Sequence, residues 1–299
     1  MLTLALVITA WARPAVAIEV RPLGKNVGWV EGTSCNVLIL AGEKGVLLVD
    51  DQRASDAQET EAAIDRSYHL PILEVVNTHW HLDHAGGNAH FAQAGAAIVA
   101  QRNVAKRLKV DQYMSAYKKR VPASPAGAWP KLSYDRAMTI RFGAETVRLV
   151  HVGNAHTDGD TLVKLAHANV IHMGDVFFNG IYPFIDVDSG GSIQGLIRAV
   201  DAALAMSNER TRFIPGHGAV ATRAELAAYR AMLARVAVNV RRQIREGQDL
   251  AAIMASKPAA SYELGGDEDR FVAAVFAGYA PTGQQGKTKA PSRDRGRGL

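Results

Sequence analysis

The run NTHWHLDHAGGN, residues 77–88, ends an apolar stretch and places three histidines and an aspartate within the six positions His79 to His84. The residues leading into it, ILEVVNTH, read as a buried strand, since a short β-branched run suits a strand covered on both faces. Chemistry placed at the carboxyl end of such a strand is the pattern of α/β proteins. Residues two apart on extended backbone point to the same side, so His79 and His81 suit capture of one metal ion. Asp83 and His84, just beyond, can turn toward a second. Gly86 and Gly87 suit a tight turn into a helix with Asn88 as its N-cap. A solvated polar turn is the plainer alternative, and the density of the pattern argues against it.

The chain has 299 residues, 48% hydrophobic and 21% charged, enough for one large domain or two small ones. From Val27 to Asp51 it reads as strands, VGWVE, CNVLILAG and GVLLVDD, with Gly-Glu-Lys-Gly as a hairpin turn. Helix is expected at about 55–67, near 88–95 and near 102–117, with AAIVA as a strand between the last two. Residues 118–135 carry three prolines and no period, which predicts a long surface loop able to fold over a site. A second series of strands follows: a hairpin in AMTIRFGAETVRLVHVG, then TLVKLA, NVIHMGD and TRFIPGHG. Helical spacing predicts a helix at 192–207, and a Thr222/Glu225 capping box opens another that ends at Gly247. The expected fold class is α/β, two facing mixed sheets with helices on the outer faces.

The formal net charge of +5 is not spread over this body. The last eighteen residues, 282–299, carry a net +4 and read as a disordered basic tail, and Arg13 accounts for the rest, so residues 18–281 are neutral. A groove that tracks nucleic acid phosphates is not expected. The opening MLTLALVITAWARPAVA has an apolar stretch too short to cross a bilayer and reads as a secretory signal cut after Ala17. A misassigned start followed by a strand is the competing reading. The expected location is periplasmic or secreted, without stable membrane insertion. Cys35 is the only cysteine, which rules out an intramolecular disulfide, and its apolar neighbours predict a small buried hydrophobe.

Three further positions close predicted strands of the second half: His156 in GNAHTDGD, Asp175 in IHMGDVFF and His217 in IPGHG. Five histidines and two aspartates suit two zinc ions, which favour imidazole nitrogen and carboxylate oxygen. With these motifs in order from about Val27 to Gly218, the chain resembles the metallo-β-lactamase fold superfamily of dinuclear metallohydrolases. The resemblance implies that His79, His81 and His156 hold one ion, that Asp83, His84 and His217 hold the other, and that Asp175 bridges them. It further implies a hydroxide between the ions as nucleophile, with Asp83 as the catalytic residue that orients it and passes a proton to the leaving group. Asp50 then either hydrogen-bonds to the ligands or is a plain strand-end aspartate. His69, His90, His151, His167 and His172 fit no ligand position and take structural or surface roles.

Departures from known members narrow the choice. Asp175 stands where one β-lactamase subclass has Cys, and Phe178 stands where that subclass has a substrate-binding Lys and the quorum-signal lactonases a Tyr. Glyoxalase II fits less well, because no basic cluster for glutathione is evident in the C-terminal helices. Tyr182, Phe184 and Ile185, on the loop after Asp175, are expected to wall a substrate pocket, with Trp29 and Trp129 as weaker candidates. The expected activity is a zinc-dependent hydrolase opening an amide, ester or thioester of a small-molecule acyl substrate, with β-lactams as the most testable case. Iron or manganese in place of zinc, a mononuclear iron persulfide dioxygenase and a non-catalytic metal-binding module remain as alternatives.

Overall fold

A computed structural model describes residues 18–32 and 34–280. The expected signal segment 1–17 and basic tail 282–299 lie outside the described residues. In chain order the strands are β1 (Val20–Pro22), β2 (Val27–Glu31), β3 (Asn36–Ala41), β4 (Val46–Val49), β5 (Ile72–Asn77), β6 (Ala97–Gln101), β7 (Gln112–Met114), β8 (Lys119–Val121), β9 (Leu132–Tyr134), β10 (Ala137–Phe142), β11 (Glu145–His151), β12 (Thr161–Leu165), β13 (Val170–Phe178) and β14 (Arg212–His217). The helices are α1 (Ala57–Tyr68), α2 (Leu82–Ala85), α3 (Asn88–Gln93), α4 (Arg102–Arg107), α5 (Ile193–Ala205), α6 (Arg223–Arg245), α7 (Leu250–Ala255) and α8 (Glu268–Ala277).

One sheet runs β1-β2-β3-β4-β5-β6-β9 and the other β10-β11-β12-β13-β14, while β7 and β8 form a separate antiparallel hairpin. Each large sheet changes from antiparallel to parallel pairing, at β4/β5 and at β13/β14. The layers follow from side-chain alternation. Along β3, Leu38 and Leu40 pack between the sheets with Val49, Leu149, Val163 and Ile214, while Val37 and Ile39 face outward against Ile64 of α1 and Phe91 of α3. The outer face of the second sheet packs through Ile171, Met173 and Phe213 onto apolar residues of α5, α6 and α8. The fold is the two-sheet, helix-flanked sandwich that the alternation of strands and helices implies. Asn36 ties the sheets directly: its amide donates to the carbonyls of Pro215 and Gly218 at 2.9 and 2.8 Å.

The Thr222/Glu225 capping box opens α6, and Gly247 sits just beyond its end at φ 83°. The helix expected near 102–117 stops at Arg107. Gln112 there donates to the carbonyl of Arg107 at the helix end and to that of Val110 in the turn that leads into β7. The expected loop 118–135 is more ordered than its prolines imply. Lys119–Val121 pairs with β7, and Leu132–Tyr134 adds a parallel edge strand beside β6. Buried Tyr134 anchors that edge through a 2.7 Å hydrogen bond to Thr161 Oγ1.

Glu145 fastens the turn between β12 and β13. Its carboxylate accepts from the backbone N–H groups of Thr146, His167 and Ala168 at 2.7 to 2.9 Å. Burial raises this carboxyl, but the donors outweigh it and hold it below the ordinary value of 4.5. A lowered folded-state value contributes stability above pH 4.5 that is lost as acid protonates the carboxylate. Glu145→Gln is expected to cost about 1 kcal/mol in urea unfolding at neutral pH, with the difference from wild type shrinking in acid. A difference that stays constant into acid would remove the charge from the explanation.

Candidate metal centre

Three imidazoles meet where β5 ends. His79 Nε2 and His156 Nε2 lie 3.1 and 2.9 Å from His81 Nδ1, and all three residues are buried. The far nitrogen of each ring is held from outside. Thr78 Oγ1 donates to Asp50 Oδ2 at 2.8 Å, which leaves it to accept from His79 Nδ1 at 3.1 Å. His81 Nε2 sits 2.9 Å from Asp186 Oδ2, and His156 Nδ1 sits 2.8 Å from the carbonyl of Phe184. Acceptors on the outside fix the N–H there and leave each inner nitrogen a lone pair directed at the common centre.

A second group lies alongside. His84 Nε2 is 3.4 Å from His217 Nε2, and Asp83 Oδ2 is 3.8 and 3.5 Å from those nitrogens. His84 Nδ1 is held by Asp50 Oδ2 at 2.8 Å. Asp175 stands between the two groups, with Oδ2 3.9 and 3.4 Å from His79 Nε2 and His156 Nε2, and Oδ1 3.1 and 3.4 Å from His84 Nε2 and His217 Nε2. The structure thus brings together His79, His81, Asp83, His84, His156, Asp175 and His217, from four separate stretches of chain.

The donor set fits divalent cations. Asp175 Oδ1 is buried and has no hydrogen-bond partner, a costly state for a carboxylate oxygen that a cation in contact with it would relieve. Burial drives His79 well below the usual imidazole range and lowers His156 to about 4, so both rings are neutral and ligand-ready at physiological pH. Burial raises Asp175, but His84, His217 and His156 outweigh it and hold the carboxyl well below the usual range, keeping it anionic. Gly216 is required by the same crowding: a Cβ there would collide with Asp175 Oδ1.

Asp50 is a working partner of the ligands: besides Thr78 Oγ1 and His84 it accepts from the Thr78 backbone N–H at 2.7 Å. Cys35 lies near Asp50 and His84, with a thiol that burial pushes up to about 12, so it stays a protonated core residue. Among the other histidines, His172 lies between the Asn36 carbonyl and the Gly174 N–H, and His69 is exposed.

The centre opens into a cavity of about 770 Å³. Tyr182 and Phe184 line it, together with Trp80, Phe178 and Asp83. Phe178 stacks on His217 with ring centroids 5.3 Å apart. Ile185 lines a neighbouring cavity instead. Trp29 and Trp129 are corrections: Trp29 packs between the sheets, and Trp129 packs beside Trp80 with its N–H on the Ser124 carbonyl. Both are consumed by layer packing and line neither cavity. The sequence reading missed Asp186, which lies 105 positions from His81, beyond any local spacing rule. It also missed Arg53, Lys119 and Arg270, which line the cavity from three distant segments.

A model of the metallo-beta-lactamase superfamily matches residues 30–217, more than half of the chain. The chain belongs to the metallo-beta-lactamase superfamily. Among curated relatives, a hydroxyacylglutathione hydrolase of Erythrobacter litoralis is 29% identical over 108 residues, covering 36% of this chain and 35% of that protein. One from Gloeobacter violaceus is 26% identical over 54% of this chain and 57% of its own length, so the chain spans well under two thirds of either. An acyl-coenzyme A thioesterase of Gallus gallus is 24% identical over 66% of this chain and 79% of that protein. Solved structures share the fold: a metallo-beta-lactamase from Pontibacter korlensis, with a TM-score of 0.59 at 17% identity, covers 72% of this chain and 98% of its own. The sec-alkylsulfatase Pisa1 from Pseudomonas sp., with a TM-score of 0.66 at 17% identity, covers 88% of this chain and 50% of its own.

Two substitutions test how this superfamily site is held. Asp186→Ala releases the outer nitrogen of His81 and is expected to weaken binding of one metal ion about 10- to 100-fold in a competitive chelator titration, with the fold intact; unchanged affinity would remove Asp186 from the site. Gly216→Ala is expected to displace Asp175 and lower metal stoichiometry, and full loading in elemental analysis would show that the carboxylate does not need that space.

Proposed function

We propose that the protein is a dinuclear zinc hydrolase that cleaves the carbonyl bond of an ester, thioester or amide. The observation that carries this reading is Asp175, whose two carboxylate oxygens face two separate ligand groups. His79, His81 and His156 would hold one ion, and Asp83, His84 and His217 the other, with Asp175 shared. Imidazole and carboxylate donors suit zinc. Two such ions, when bound, bring the pKa of water toward neutrality and polarise a carbonyl oxygen.

The protein's own groups divide the remaining work. Asp83 has a side chain 27% exposed and lines the cavity, which places it to carry a proton to the leaving group. Trp80, Phe178 and Phe184 line the approach and exclude water from the reacting carbonyl. Arg53 and Lys119 line the same cavity without a carboxylate partner among the described residues, so an anionic group on the substrate would find its counter-charge there. The convergence of a complete second ligand group favours two ions over a mononuclear iron site. On the leader-like residues 1–17 we also propose that the protein is exported.

The test is hydrolysis of a panel of chromogenic β-lactam, lactone, ester and thioester substrates by zinc-loaded protein, with chelator and His79→Ala controls. A chelator-sensitive rate absent from the variant supports the reading, and two tightly bound ions with no rate on any member of the panel would overturn it. Asp175→Ala is expected to lower metal stoichiometry and abolish hydrolysis together. Retention of both ions and full rate would remove the bridging role.

A further inference from the structure

A second cavity, of about 850 Å³, begins where the catalytic one ends. Phe184, Asp267 and Arg270 line both, and the β7–β8 hairpin region roofs both, with Tyr117 and Lys119 over the first and Ser115 and Ala116 over the second. The two spaces adjoin at Phe184, whose ring lies 6.0 and 5.7 Å from the rings of His81 and His156 and 5.1 Å from that of Tyr117, and none of the ligands lines the second cavity.

Ile185, Ile244, Leu250, Met254, Ala273 and Phe276, from the post-Asp175 loop, α6, α7 and α8, give that cavity a continuous apolar lining. Its charged groups are already engaged. Asp267 pairs with Arg270 at 3.1 Å, Asp269 pairs with Lys257 at 2.6 Å, and Asp249 caps α7 by accepting from the Ala252 N–H. Arg270 also lies over the Tyr117 ring at 4.3 Å. Arg53 and Lys119, which have no carboxylate partner among the described residues, line the catalytic cavity and not the second. A charged ligand segment therefore finds free cationic side chains in the catalytic cavity, whereas in the second cavity the charged side chains already have protein partners and the other polar groups are Ser115 and Gln248.

We propose that the second cavity is an acyl-chain subsite, so that the substrate is an ester or thioester of an extended apolar acid, its chain running past Phe184 into the space between α6, α7 and α8. The inference rests on the hydrolase reading for the reaction and on the cavity alone for the chain. Hydrolysis would break the acyl carbon bond to oxygen or sulfur, add the oxygen of water to the acyl carbon, and hand the proton to the departing alcohol or thiol.

The experiment separates the two. Affinity of the full chain for the free acids butanoate and dodecanoate, below the micellar concentration, is measured by displacement of a fluorescent fatty acid, and kcat/KM is measured for the matching p-nitrophenyl esters on zinc-loaded protein. Each methylene withdrawn from water is worth roughly fourfold, so dodecanoate is expected to bind at least about 100-fold more tightly than butanoate. Ala273→Phe, which fills the cavity, and Met254→Glu, which charges it, are each expected to weaken dodecanoate at least about tenfold while leaving butanoate unchanged. Both positions are partly exposed, and thermal unfolding verifies that each variant is folded. Chain-length-independent binding, an aryl acid binding as well as dodecanoate, or folded variants with unaltered dodecanoate affinity would overturn the subsite. Chain-dependent binding that the variants weaken, with no turnover of either ester, would keep the subsite and remove the hydrolase reading.

Discussion

The carboxylate of Asp50 is the fixed point of the metal centre. It is fully buried at the end of β4, in a left-handed backbone conformation at φ 63° that Asp tolerates better than most residues. From there it accepts from the Thr78 backbone, the Thr78 hydroxyl and His84 Nδ1. Through Thr78 it sets the rotation of His79, and through His84 it sets a ligand of the other group, so one buried charge orients both halves of the site. A bare carboxylate in that position would be expensive, and three donors make it tolerable.

Asp175 supplies the complementary constraint from the other sheet. Two sheets that meet only through apolar packing could slide by fractions of an ångström without great cost, whereas a carboxylate shared by two ligand groups cannot. The close approach at Gly216 and the Asn36 hydrogen bonds to Pro215 and Gly218 lock β14 against β3 beside that carboxylate. The precision of the centre therefore comes from backbone contacts between the sheets as much as from the ligands themselves.

Much of this was legible in the sequence, for identifiable reasons. The apolar strand run at residues 36–41, the Thr222/Glu225 capping box and the dense histidine motif are local patterns, and local physics writes them directly into residue order. The ligands from the second half were legible because each closes an apolar run. What escaped depended on contacts remote in sequence. Asp186 gains its role from His81, and Arg270 gains its role from a C-terminal helix packing beside a hairpin more than a hundred residues earlier. Trp29 and Trp129 were misplaced because a large aromatic near a site has the same local signature whether it lines a cavity or fills a layer. The helix expected beyond Arg107 ends where a single glutamine side chain, Gln112, holds the carbonyls of Arg107 and of Val110 in the turn that follows.

The roof of the cavity is built differently from its floor. The ligands sit at the ends of strands whose side chains are also the inter-sheet core, whereas the hairpin carrying Tyr117 and Lys119 is an excursion between α4 and β9, moored at polar points such as the Ser115 N–H on Asp188 and the Gln112 side chain on Arg107. Changes to the floor disturb packing and metal capture together, while changes to the roof alter only what fits beneath it. Such a division lets the range of accepted molecules drift through mutation of one surface segment while the reaction chemistry is inherited intact.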